Sequence, residues 1–261
     1  GSFPGAGEVR VETNATLASP SWAHRDFAFP DAAGSLVRAL RPPLPSPIFL
    51  RGVQPATPLE LATLASYLAD PHAGAAGECY EFTGPAGTTT VMVGDLDDLP
   101  PPGTCDAGRT YFDIGNPAFA ALFTDAAGYG TATYRLVPAP VVGNVKMVVV
   151  LNSGGFYLEL RPYNHRAGLG KLEIKSAGSA NWIELPRTVY NSFVYNGGGA
   201  LAFPLSVRVT SRFGEVVDFP AIAAMQPNDR FTANAQFAAF PDLAPAPVWI
   251  LPPVYTDSLS N

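Results

Sequence analysis

Acidic side chains are the first candidates for chemistry in this sequence. Asp95, Asp97 and Asp98 follow an apolar, strand-like run, and Asp113 follows two aromatic residues. A carboxylate flanked by apolar rings has its pKa raised by desolvation, which is what a general acid needs. Aspartate is also an ordinary residue for ending a strand or capping a helix, and Asp113 comes shortly before a helix start at Pro117. Spacing alone therefore leaves a catalytic and a structural interpretation open.

Nucleophiles and metal ligands are sparse. No serine lies in a Gly-x-Ser-x-Gly turn, and His24, His72 and His165 are scattered, so a serine or cysteine hydrolase is not predicted. Cys79 and Cys105, 26 residues apart, fit no zinc motif. They fit one disulfide in an oxidising compartment, which we predict, or two unpaired buried thiols. No metal or cofactor is expected.

A second group of candidates consists of aromatic residues in the C-terminal half. Sugars stack their C–H faces on exposed rings, so a row of solvent-facing aromatics is typical of polysaccharide binding, whereas buried rings only fill a core. Strict alternation sends Phe156 and Tyr157 to opposite faces of a strand unless a bulge or strand-end twist re-aims one of them. The group comprises Phe156, Tyr157, Trp182, Tyr190, Phe193 and Tyr195.

Composition limits the folds and partners that can hold these residues. The 261 residues include 25 glycines and 27 prolines, and 15% are charged against about 25% in an average domain. Short strands and many turns are favoured, and an all-helical bundle is excluded. A net charge of -6 argues against nucleic acid and anionic membranes as partners, and no apolar run approaches the roughly 20 residues of a membrane helix.

The chain divides into two parts that differ in their sequence patterns. After an irregular first quarter, the sequence predicts a helix over 57–70, where leucines recur at helical spacing, and a hairpin over 79–93. A short helix at 117–124 and a strand at 131–137 follow. Pro138-Ala139-Pro140 is then predicted to link two domains. Beyond it, alternating strands at 171–175 and 205–210 indicate an antiparallel sandwich, and the proline-rich tail is expected to be extended or mobile.

From Gly77 to about Val217 the sequence resembles an expansin, in particular the two-domain microbial expansins. The first matching stretch is a strand, a Gly-Pro-x-Gly turn, a strand and an Asp-Leu pair, and the second is a Phe-Asp-Ile motif before a short helix. The remaining stretches resemble the interdomain junction and two second-domain segments. In order, the matching segments are residues 80–96, 112–119, 134–145, 161–165 and 189–194.

The resemblance implies an all-β fold with minor helix. An N-terminal six-stranded double-psi β-barrel is followed by an immunoglobulin-like β-sandwich that acts as a carbohydrate-binding module. The expected boundaries are a barrel at 1–137, a linker at 138–142, a sandwich at 143–240 and a C-terminal extension at 241–261.

The resemblance also implies a function. Expansins are secreted and loosen plant cell walls by disrupting cellulose and xyloglucan contacts without hydrolysis, and a monomer is expected. Asp113 matches the acidic residue that expansins share with family-45 endoglucanases, and Asp95 matches a neighbouring groove residue. Phe156, Tyr157 and Tyr190 match the three aromatics of the polysaccharide-binding platform, which are normally Trp, Trp and Tyr.

Departures from the family pattern define the alternatives. The N-terminal Thr-x-Tyr-x-Gly motif has no clean counterpart, Asp97 replaces an aromatic, and an insertion at about 99–109 carries Cys105. A family-45-like endoglucanase or lytic transglycosylase would use Asp113 as general acid and would need a second carboxylate as base. A structural wall-adhesion protein would use the same fold without loosening.

Overall fold

A computed structural model describes residues 6–13, 60–65, 76–97, 110–114, 116–124, 129–188 and 191–238. Strands predominate there, so the expected all-β class with little helix is confirmed. The elements, in chain order, are β1 (Ala6–Thr13), β2 (Glu60–Ala65), β3 (Cys79–Thr83), β4 (Thr88–Asp97), β5 (Thr110–Ile114), α1 (Asn116–Leu122), β6 (Tyr129–Val137), β7 (Lys146–Ser153), β8 (Tyr157–Tyr163), β9 (Leu169–Lys175), β10 (Ile183–Glu184), β11 (Phe193–Tyr195), β12 (Ser206–Ser211), β13 (Val216–Asp218) and β14 (Arg230–Thr232).

The first six strands close into a barrel in the order β1-β5-β2-β4-β3-β6. Two neighbouring pairs, β1 with β5 and β2 with β4, are parallel, and the other pairs are antiparallel. Closure leaves no unpaired sheet edge. Four rings, those of Tyr80, Phe82, Phe112 and Tyr134, pack tilted or edge-to-face in the interior with centroids 4.9 to 6.2 Å apart.

The remaining strands form two four-stranded sheets, β10-β9-β12-β13 and β11-β8-β7-β14. Apolar residues alternate along β8, β9 and β12, and their buried members meet between the sheets. Sequence alternation at 171–175 and 205–210 thus predicted two strands of this sandwich correctly. Phe213 packs against the sandwich core and against the barrel core, so the two cores are in contact.

One predicted helix is wrong. Leucines at 59, 61, 64 and 68 have helical spacing, but residues 60–65 form β2, which hydrogen-bonds to β4 on one side and β5 on the other. The barrel needs a strand at this place, and two ladders of backbone hydrogen bonds override a weak local helix preference. Residues 6–13 also form a strand, within a first quarter that was expected to be irregular.

Three further local predictions are confirmed. The hairpin predicted over 79–93 is β3 and β4, joined at a turn where Gly84 N donates to Gly87 O at 2.9 Å. The short helix predicted at 117–124 is α1, and the strand predicted at 131–137 is β6. The proline-rich tail lies outside the described residues. Among the residues described, none of the helices is long and apolar enough to cross a membrane.

Cys79 is a free thiol in the structure and is completely buried. Burial, and after it the nearby Glu78 charge, raise the pKa of this thiol far above its usual range, which makes it unreactive. Cys105 lies outside the described residues. The Cys79–Cys105 disulfide therefore stays a prediction.

Candidate functional site

The aspartates singled out in the sequence lie on neighbouring barrel strands. In β5, Asp113 pairs with Glu12 of β1 and with Thr63 of β2, and Thr63 pairs in turn with Asp95 of β4. These four positions form one lateral row across four adjacent strands, which we call the acidic row. Thr63, which lies between Asp113 and Asp95 in this row, was missed by sequence reasoning because it lies in the segment predicted as helix.

The acidic row is defined by the pairing register of the strands. Phe112 and Ile114, on either side of Asp113, are completely buried in the barrel core. In β4, the register shifts at Gly94, because Val93 pairs with Ala62 and Asp95 already pairs with the next residue, Thr63. This shift brings Asp95 into line with Asp113.

A second candidate surface is the outer face of the sheet β11-β8-β7-β14. Phe156 lies in the tight turn between β7 and β8, and 59% of its surface is exposed. The turn has positive φ at Gly154 and Gly155, +58° and +79°, which only glycine adopts at low cost. Because Phe156 lies in the turn and not in β8, strand alternation does not place it on the face opposite Tyr157.

Tyr157 is half-buried at the start of β8. The next core-facing residues, Leu158 and Leu160, are completely buried, so Tyr157 and Glu159 lie on the outer face. The Tyr157 hydroxyl donates to Glu159 Oε2 at 3.3 Å. Burial raises the pKa of this phenol, and the Glu159 carboxylate raises it further. Tyr190, the third predicted platform residue, lies outside the described residues.

Leu151 joins this surface, although the sequence does not single it out. Met147 and Val149 face the core, and the same alternation would bury Leu151. A register shift between Val149 and Leu151 instead pairs Leu151 with Glu159, diagonally across from Tyr157, and leaves it 45% exposed. An apolar strip therefore runs from the hairpin turn onto the sheet.

Trp182 is not part of this surface. It lies by the other sheet, where the Arg208 guanidinium is 4.1 Å and the Lys175 ammonium 5.0 Å from its ring centroid. Arg208 also donates to both Glu173 carboxylate oxygens, at 2.8 and 3.0 Å. The two cations, from the adjacent strands β9 and β12, cover the indole. Phe193 and Tyr195 are buried, as the core interpretation expected.

The junction between barrel and sandwich holds a buried polar group. Glu78 accepts hydrogen bonds from Arg212 Nη1 at 2.6 Å and from the Tyr80 hydroxyl at 2.8 Å. Burial raises the pKa of this carboxyl, and Arg212 opposes the rise. Gly168 is required at this place, because any Cβ there would collide with the Glu78 carboxylate.

His165 lies in the same junction. It is 2% exposed, donates from Nδ1 to the Ala167 carbonyl at 2.9 Å, and packs where a Cβ on Gly77 would be 2.7 Å from its ring. Burial lowers its pKa to about 4, against a weaker opposing effect of the Ala167 carbonyl, and the charge of Arg187 lowers it slightly more. The imidazole is therefore neutral at pH 7 and serves packing rather than catalysis.

This histidine makes stability depend on pH. Since its pKa falls from 6.5 in the unfolded chain to about 4 in the folded chain, its contribution is present above pH 6.5 and lost on acidification towards pH 4. The loss amounts to roughly 3 kcal/mol of unfolding free energy. Urea unfolding at neutral and acid pH should show a smaller decrease for His165→Gln than for the wild type. An equal decrease in both proteins would contradict this account.

Within the described residues, no group of three or more His, Cys, Asp or Glu side chains is arranged to hold a metal ion. What the geometry offers is an acidic row on the barrel and an apolar strip on the sandwich. Such surfaces suit contacts with a long neutral polymer better than the enclosure of a small molecule.

Comparison with known proteins gives a consistent relationship. Residues 145–238 match the family model of the expansin-like protein middle domain. Expansin-like protein 2 of Dictyostelium discoideum is 34% identical over 145 residues, which are 55% of this chain and 35% of that protein. Expansin-YoaJ of Bacillus subtilis is 30% identical over 145 residues, 56% of this chain and 58% of that protein. The chain thus spans little more than half the length of the Bacillus subtilis relative and about a third of the Dictyostelium discoideum relative.

Solved structures show the same fold. The unliganded expansin of Clavibacter michiganensis matches 90% of this chain and 99% of its own with a TM-score of 0.63 and 22% identity. A mutant of that expansin, solved in complex with cellohexaose, matches equally well. The resemblance seen in the sequence is therefore confirmed, and the chain is related to the expansins.

Proposed function

We propose that this protein is an extracellular, monomeric wall-loosening protein that binds cellulose or a related β-glucan, such as xyloglucan, and disrupts contacts between polysaccharide chains without hydrolysing them. The observation that carries the proposal is the exposed Phe156 ring beside Tyr157, on a sheet whose segment matches the expansin-like middle domain. The structural relative that binds cellohexaose supports the same ligand class.

The proposal includes a division of labour between two domains. Residues 1–137 would be a double-psi β-barrel, 138–142 a linker, 143–240 an immunoglobulin-like carbohydrate-binding module and 241–261 an extension. The combination of parallel and antiparallel pairs in a closed six-stranded barrel supports the first assignment, and two packed four-stranded sheets support the second. No strand pairing in the described residues connects the barrel with the sandwich.

In this mechanism the sandwich anchors the protein and the barrel acts on the anchored chains. Phe156, Tyr157 and Tyr190 stack on glucose rings, and Leu151 lengthens the apolar strip. Asp113 and Asp95, in the acidic row, bind sugar hydroxyls of one glucan chain. If the barrel surface around the acidic row binds a twisted, separated glucan better than a packed one, binding shifts the local equilibrium towards separation and needs no bond cleavage.

Binding to crystalline cellulose is expected to weaken by roughly thirtyfold or more in a Tyr157→Ala, Tyr190→Ala double variant, because each stacked ring contributes about 1–3 kcal/mol in comparable contacts. Trp182→Ala is the matched control, since that indole is covered by Arg208 and Lys175 on the other sheet. Wild-type adsorption by the double variant, or an equal loss in the control, would place the binding surface elsewhere.

One observation favours a hydrolytic alternative. Asp113 and Asp95 occupy positions two strands apart, a backbone separation of about 9.5 Å at the usual spacing of strands. Inverting glycosidases hold their two carboxyl groups roughly 6.5–9.5 Å apart, so backbone positions at this spacing are compatible with such a pair. A family-45-like endoglucanase or lytic transglycosylase with Asp113 as general acid is therefore the second candidate. Release of reducing ends from soluble β-glucan distinguishes it from the non-hydrolytic proposal.

A further inference from the structure

A carboxylate lies on the outer face of β8, next to the apolar strip. Glu159 and Tyr157 are two residues apart on this strand and alternate with buried core residues, so they share the outer face. The Glu159 side chain is 18% exposed. Across the sheet, Glu159 pairs with Leu151 of β7 on one side and with Val194 of β11 on the other. The carboxylate therefore lies directly beside the side chains that are proposed to meet the ligand.

The contacts of this carboxylate leave part of its acceptor capacity open. A carboxylate offers about four lone-pair sites on its two oxygens. The Tyr157 hydroxyl donates to Glu159 Oε2 at 3.3 Å, and Arg161 Nη2 lies 3.6 Å from Oε1, which is too long for a hydrogen bond. Of the residues that the structure describes, Tyr157 alone donates a hydrogen bond to this side chain. The remaining sites are available to a donor on a ligand.

The surroundings of the carboxylate also favour binding. The phenol of Tyr157 at one end and the cation of Arg161 at the other hold it in place along β8. An acceptor that is held before binding loses little conformational freedom when a ligand arrives. The paired residues on the neighbouring strands, Leu151 and Val194, are aliphatic, and hydrogen bonds are stronger where apolar groups lower the local dielectric.

We propose that Glu159 is a further polysaccharide-binding residue, which accepts hydrogen bonds from hydroxyl groups of the sugar that stacks on Tyr157. This inference rests on the proposed function. Stacking alone is tolerant of how a sugar ring is turned, whereas a polar group in a fixed place sets the orientation of a ligand. A neutral sugar with free hydroxyl groups is therefore the ligand class that this part of the surface selects.

The alternative for Glu159 is a purely structural role. Arg161 is 6% exposed and donates from Nε and Nη2 to Ser192 Oγ, at 3.0 and 2.7 Å, and a hydroxyl does not neutralise its charge. If Glu159 only balanced this cation, its replacement would lower the unfolding free energy and leave the ligand preference of the folded protein unchanged. A measurement of ligand preference therefore distinguishes the two roles.

The first test changes the carboxylate. Glu159→Gln keeps the shape of the side chain and is expected to weaken binding of cellohexaose about threefold, because a neutral acceptor replaces a charged one. Glu159→Ala, which removes the acceptor, should weaken it about tenfold. Glu184→Gln is the matched control, since that carboxylate also forms a long ion pair, 3.8 Å from Lys171 Nζ, but on the other sheet. The control should bind like the wild type, and wild-type affinity of both Glu159 variants would overturn the inference.

The second test changes the hydroxyl groups. Per-O-methylated cellohexaose keeps the sugar rings and has no hydroxyl donors, so the wild type should prefer cellohexaose. Glu159→Ala should reduce this preference about tenfold, because the hydrogen bond that methylation removes is already missing in the variant. A lower affinity with an unchanged preference would mean a structural role and would overturn the inference. If the Tyr157→Ala, Tyr190→Ala variant itself adsorbs to cellulose like the wild type, the proposed function fails instead.

Discussion

Replacing Arg212 by methionine is expected to lower the unfolding free energy at neutral pH by about 3–5 kcal/mol, because it leaves the Glu78 carboxylate buried without its cation. The two side chains are 2.6 Å apart, and none of the Glu78 side chain is exposed. Urea unfolding measures the loss. Arg135→Met is the matched control. Arg135 and Glu81 are also 2.6 Å apart, but 41% of the Arg135 side chain and 29% of the Glu81 side chain are exposed. Exposed pairs contribute only about 0–1 kcal/mol.

The pH dependence of the Arg212 effect gives a sharper test. Burial already raises the pKa of Glu78 in the folded wild type, and removal of the cation raises it further. A raised folded pKa means that this group's contribution is complete below the unfolded value of 4.5 and is lost as pH rises through the folded value. The variant should therefore recover part of its stability on acidification, when Glu78 takes up a proton. An equal destabilisation at all pH values would contradict this account.

Local features of the fold could be predicted from neighbouring residues. The hairpin of β3 and β4 follows from a glycine and proline turn between two β-rich runs, and α1 follows from Pro117 at its first turn. Their determinants lie within a few residues of each other. The strand β2 was predicted as a helix because its determinant, pairing with β4 and β5, is not local.

The candidate sites depended on backbone irregularities that alternation does not reveal. The register shift at Gly94 brings Asp95 into the row of Asp113, and the one before Leu151 turns that leucine out of the core. Sequence reasoning named Phe156 as a candidate and recognised that alternation opposed it to Tyr157. It did not locate the turn that takes Phe156 out of the strand. The positive φ angles of Gly154 and Gly155 form this turn, and the place of the turn depends on how β7 and β8 pair.

Long-range polar pairs were the least accessible part. Glu78 and Arg212 are 134 residues apart in the sequence, and neither stands in a motif. A buried carboxylate and the arginine that reaches it are recognisable only when the fold has brought the two side chains together. The same holds for Arg161 and Ser192, 31 residues apart. Resemblance to a family predicted the all-β fold, whereas these supporting contacts are visible only in the three-dimensional structure.

Asp113→Asn is expected to abolish the weakening of filter paper and the extension of cell walls, while the wild type releases no reducing ends from soluble β-glucan. The substitution keeps the shape of the side chain and removes its charge, so a loss would assign the effect to the carboxylate. Asp97→Asn is the matched control: it lies two residues beyond Asp95 in the same strand, but pairs with Ala65 and is outside the acidic row. Wall weakening should survive in it.

Asp113→Asn, together with Asp95→Asn, also distinguishes the non-hydrolytic mechanism from the hydrolytic one. Sustained sugar release by the wild type, lost in both Asp113→Asn and Asp95→Asn, would mean that the acidic row holds an acid and a base, and its pH-rate profile would report two carboxyl groups. Wall weakening without sugar release, lost in Asp113→Asn, would mean that the carboxylate acts by binding alone. Wild-type behaviour of Asp113→Asn in both assays would remove the Asp113 carboxylate from the mechanism and leave the sandwich surface as the proposed functional part.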